Sequence, residues 1–168
     1  MKDNARARDN NVIGQPRALP AILFGGLAVG VLDALDAMTF FGIYLGARPG
    51  RIWQSVAAGL LGRDRAMQGG LKTVLLGLFL HFLIATIMAT VFYLASLVLP
   101  TLTRHAVTWG LIYGVAAYFV MTHVVVPLSA VPPRGPAPWP SFLNGVIGHA
   151  LLVGLPISLI ARWSAKKR

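Results

Sequence analysis

Five ionisable side chains stand where the sequence is otherwise oily: Asp33, Asp36, His81, His123 and His149. A charged group in hydrocarbon costs of order 2.5–3.5 kcal/mol on insertion scales, so such groups normally face a bundle interior or a wet cavity. Imidazoles and carboxylates in company offer two chemistries. They can hand protons to one another, or they can ligate a metal ion, since imidazole suits Zn, Cu, Fe and Ni and carboxylate completes the set. His81, His123 and His149 are the metal candidates. A haem held between two histidines is a third reading, but the chain has no HExxH, no C-x-x-C-H and no closely spaced His pair to support it. No particular cofactor is expected. The competing reading is structural, with each His bonding a carbonyl, hydroxyl or carboxylate on a neighbouring helix.

Depth favours a shared site. In a chain that crosses the bilayer four times, successive helices alternate direction, so depth is counted from opposite ends. At about 1.5 Å per residue, all five groups fall roughly 5–20 Å below one surface. Asp33 and Asp36, three apart, are expected to share a helix face. Five side chains from four helices then occupy one layer.

The elements that must position them follow from composition. Of 168 residues, 56% are hydrophobic and 12% charged, with a mean hydropathy of +0.68. A soluble domain carries about 25% charged residues, so lipid has to solvate much of this surface. The fold class is an all-α membrane protein with four transmembrane helices, in one domain over 18–163. The spans are expected at about 18–46, 71–99, 106–127 and 142–163. Each is long enough for a hydrocarbon core of about 30 Å. A short amphipathic helix at about 50–62 lies between the first two. Ile52, Trp53, Val56, Ala57, Leu60 and Leu61 form its apolar face, with Arg51, Gln54, Ser55 and Arg63 opposite, which places it at the membrane interface. Residues 1–17 form a basic tail and 164–168 a second one. VPPRGPAPWP (131–140) is a Pro-rich connection that cannot be helical. A signal peptide does not fit the first span, whose core is too long and lacks a cleavage site.

The 15 Lys and Arg outnumber 5 acids, for a net charge of +10. Such an excess often marks nucleic-acid binding. Here the basic residues flank apolar runs (Arg17, Arg48, Arg51, Lys72, Arg104, Arg162, Lys166), as positive-inside bias and anionic headgroups require. Lipid headgroups are the expected partner, and nucleic acid is not. Nine basic residues fall on the side shared by both termini and six on the other, which places the termini in the cytoplasm. Trp109 and Trp163 sit at one margin, Trp53 and Trp139 at the other.

Small residues repeat at four-residue spacing in Gly26/Gly30, Gly42/Gly46 and Gly110/Gly114, a pattern that allows close helix approach. Gln54, Tyr113 and Asn144 are weaker candidates for lining a cavity. With no cysteine, disulfides and thiolate chemistry are excluded. No nucleophile elbow or Ser-His-Asp spacing appears, so no enzyme activity is expected.

The stretches LHFLIAT (80–86) and THVVVPLSAVPP (122–133), the Gly148-His149 pair after a Pro/Trp-containing loop, and Pro100 followed by TLTR resemble the YagU family of uncharacterised bacterial inner-membrane proteins. The resemblance covers roughly the last hundred residues, and its most specific part is His, then Pro-Leu, then Pro-Pro. It implies that His81, His123 and His149 occupy positions where the family also carries histidine. Asp33 and Asp36 depart from that pattern. The family's loose association with acid tolerance implies a proton-related role.

Two expectations remain open. Either the chain is a structural or accessory membrane component held by helix contacts, or its His/Asp layer handles protons or metal ions, with a homo-oligomer widening the pathway that four helices provide.

Overall fold

The computed structural model describes residues 14–132, 135 and 137–166. Most of the basic tail expected over 1–17 lies outside the described residues, as do Pro133, Arg134 and Pro136 of the Pro-rich connection and Lys167 and Arg168 of the last tail.

Among the described residues the chain is all-α. Four helices are long and apolar enough to cross a membrane: α1 Pro20–Tyr44, α4 Gly70–Val98, α6 Ala106–Val125 and α7 Trp139–Ala165. Three short helices connect them: α2 Pro49–Leu61, α3 Arg63–Gln68 and α5 Thr101–Arg104. The Gly14 amide donates to the Ala165 carbonyl at 3.0 Å, and the Arg162 guanidinium donates to the Arg104 carbonyl. Both described chain ends and α5 therefore share one end of the bundle. The other, the loop end, carries α2, α3 and the Pro-rich connection.

Helix boundaries follow from proline and glycine. Pro49 opens α2 after an extended Arg48 (φ −65°, ψ 137°), the conformation that a following proline imposes. Gly46 makes the turn after α1 at φ +68°, a backbone region that side-chain-bearing residues avoid. The Gly42/Gly46 pair is therefore not a packing motif: a Cβ on Gly46 would meet nothing within 4 Å. The fourth span starts earlier than the proline content implies, because Trp139 and Pro140 form its first turn. Proline is tolerated there since the amides of a first turn lack helical partners in any case.

Helix α1 packs between α4 and α7, α6 packs on α7, and α2 packs on α4. Small residues set these contacts. A Cβ on Gly26 would strike Thr86 and one on Gly30 would strike the Phe82 ring. Between α6 and α7 the approach is backbone to backbone, with Gly114 against the His149 carbonyl and Gly154 against the Gly110 carbonyl. Lipid gives no hydrophobic drive for helices to associate, so close van der Waals fit of this kind holds them together. Helices α4 and α6 are joined by the Tyr113 hydroxyl, which donates to the Met88 carbonyl at 2.7 Å, and by Tyr113 edge-on to Phe92. Otherwise an apolar groove of about 310 Å³ separates them, with Ile87, Val91 and Ala116 among its walls.

Helix α2 carries the expected apolar face, with Ile52 and Ala57 buried, and departs from the amphipathic assignment at Gln54. That side chain is buried, donating to Thr73 Oγ1 at 3.2 Å and to the Gly70 carbonyl. A Cβ on Gly77 would overlap the Trp53 carbonyl, so α2 is pressed onto α4 by its backbone. Its polar Gln54 is satisfied there by the Gly70 carbonyl and the Thr73 hydroxyl, as a buried polar group has to be.

Candidate functional site

A cavity of about 190 Å³ opens at the centre of the bundle. All four spans and α2 reach it: Asp33 from α1, Val56 from α2, His81 and Met88 from α4, Met121 from α6 and His149 from α7. The remaining wall is aliphatic, so three titratable side chains face one small, mostly apolar space.

His81 is the best-defined of them. Its Nε2 lies 2.8 Å from the Gly30 carbonyl oxygen. A carbonyl can only accept, so Nε2 carries a hydrogen. The ring is held between Trp53 (centroids 5.3 Å apart) and Phe82 (5.5 Å). With Nε2 committed, Nδ1 faces Asp33 Oδ2 at 3.8 Å. Nδ1 is the ring nitrogen left to exchange a proton with the carboxyl. The separation exceeds a direct hydrogen bond, and the cavity has room for bridging water.

His149 enters the same cavity from α7 and lies edge-on to Tyr118, with centroids 5.5 Å apart. It opens a π-helical segment, His149–Gly154, that ends just before Pro156. Proline inside a helix removes a donor and crowds the carbonyl four residues back. The wider turn relieves that crowding, and π segments of this kind recur at functional sites. Pro156 was the readable signal for this irregularity.

The remaining two groups lie elsewhere. His123 is exposed on the outside of α6, where its Nδ1 lies 3.2 Å from the Phe119 carbonyl of its own helix and its ring tilts over the Phe119 ring. It does not join His81 and His149. Asp36 does not share the direction of Asp33. Its Oδ2 accepts a 2.8 Å hydrogen bond from Asn144 Nδ2 on α7. Three residues along an α-helix leave about 60° between side chains. Because α1 is wedged between α4 and α7, that angle sends one acid to each neighbour. The expected single layer is thus divided: Asp33, His81 and His149 at the cavity, Asp36 in a groove between α1 and α7, and His123 outside. Among the described residues no three His, Cys, Asp or Glu side chains stand close enough to share a metal ion.

Asn144, a weaker cavity candidate in the sequence, lines a groove and bonds Asp36 there, and Trp53, read as a belt residue, packs against His81. Tyr113 and Gln54 serve as links between elements.

No family model, curated protein or solved structure matches the chain.

Proposed function

We propose that this multi-pass protein handles protons within the membrane, using the His81–Asp33 pair in the central cavity. The observation that carries the reading is the Gly30 carbonyl at His81 Nε2, because it leaves only Nδ1 to exchange a proton with Asp33. His149, across the cavity, is the next station for a proton carried by water. The resemblance to the YagU family and its association with acid tolerance favours the same role. It is also the basis for proposing a bacterial inner membrane, and the excess of Lys and Arg on the side of the termini is the basis for proposing that both lie in the cytoplasm. The cavity is smaller than the 300–1,000 Å³ typical of pockets for drug-sized ligands, which favours protons and water over a haem macrocycle.

The test is proton flux into liposomes carrying the reconstituted protein and an internal pH-sensitive dye, under an imposed potential. Wild type is expected to exceed empty liposomes, and His81→Gln and Asp33→Asn each to lower the flux at least tenfold. Flux equal to empty liposomes, or unchanged by both variants, would refute the proposal.

One observation favours a second, structural reading: the same His81–Gly30 hydrogen bond ties α4 to α1. On that reading the variants lower stability in detergent and no proton flux is found.

A further inference from the structure

The groove between α1 and α7 is independent of the central cavity. It is open along one side, holds about 470 Å³ and is lined by Asp36, Phe40, Tyr44, Leu143, Asn144 and Leu152, among others. Its walls are apolar and aromatic, and its one acidic group is Asp36. One oxygen of that carboxyl accepts from Asn144, the one side-chain hydrogen bond Asp36 makes among the described residues. Gly148 makes room for the group: a Cβ there would come within 3.3 Å of Asp36 Oδ2. About one turn along α1, Phe40 and Tyr44 stack with centroids 5.3 Å apart and planes 26° from parallel, and both rings line the same groove.

We propose that this groove binds a hydrophobic monovalent cation, with Asp36 as its counter-charge and the Phe40 and Tyr44 rings as its aromatic wall. Each component narrows the ligand class. A carboxylate beside hydrocarbon is stabilised by an opposite charge. Aromatic faces attract a cation within about 6 Å of the ring centre. An apolar groove of this size accepts a bulky organic ion rather than a hydrated metal ion, whose water shell it could not replace. Asn144 donates to the carboxylate and so holds it in place without neutralising it.

Tetraphenylphosphonium and tetraphenylborate have the same shape and opposite charge, so wild-type protein in nanodiscs provides the first test. Equilibrium dialysis is expected to give saturable binding of the phosphonium and only unsaturable partitioning of the borate. Asp36→Asn, which keeps a hydrogen-bonding partner for Asn144, should weaken phosphonium binding at least tenfold, and Phe40→Leu severalfold. Asp33→Asn should leave it unchanged, which separates this site from the proton pair. Equal binding of the two ions, or undiminished binding by Asp36→Asn, would overturn the proposal. So would a dimer whose second copy fills the groove and excludes the phosphonium.

Discussion

Replacing Gly114 with alanine tests how tightly α6 and α7 are held. The added Cβ would overlap the His149 carbonyl and lie 2.6 Å from Ala150 Cα. Ordinary contact begins at about 3.4 Å, so relieving the Ala150 contact alone takes roughly 0.8 Å, and the nearer His149 carbonyl makes the helices part by more than that. Neither obstacle is a flexible side chain that could swing aside. Overpacking a close fit costs about 1–3 kcal/mol, and the neighbouring approach of Gly154 to the Gly110 carbonyl loosens with it. The expected result is a loss of that size in reversible unfolding in mixed micelles, followed by far-ultraviolet circular dichroism. Gly42→Ala is the matched control, since its Cβ would meet the Ala47 carbonyl at an ordinary 3.8 Å. It should be neutral or slightly stabilising, because alanine favours the helix by up to about 1 kcal/mol over glycine. If Gly114→Ala unfolds like wild type, or Gly42→Ala is as damaging, the account of α6–α7 packing is wrong.

Other substitutions probe single contacts. Tyr113→Phe removes the hydroxyl that reaches across to the Met88 carbonyl, and the same unfolding assay should show a loss of about 0.6–1.7 kcal/mol, the range for polar contacts between membrane helices. His123→Ala alters an exposed ring bonded within its own helix, so it should change stability by less than about 0.5 kcal/mol and leave proton flux at the wild-type level. A tenfold loss of flux in His123→Ala would place a group on the outside of α6 in the proton path, against the geometry.

The four spans were legible because their apolar runs are long and bounded by prolines, glycines and basic residues. Direction around each helix was not. Helix α4 is oily on every side, so hydropathy could not say that His81 faces inward, nor that His123 on α6 faces outward. The Asp33–Asp36 spacing pointed to one face, and only the placement of α1 between two helices separates the acids. Gln54 lay on the polar side of a helical wheel, yet acceptors at Gly70 and Thr73 satisfy it inside. Of three glycine repeats with the same spacing, two pack against neighbours and the third ends a helix, a difference set by what faces them.

The position of α1 has a mechanical consequence. Asp33 and Asp36 ride on one stiff rod, each engaged with a different neighbour. A twist or slide that draws one toward its partner must also shift the other.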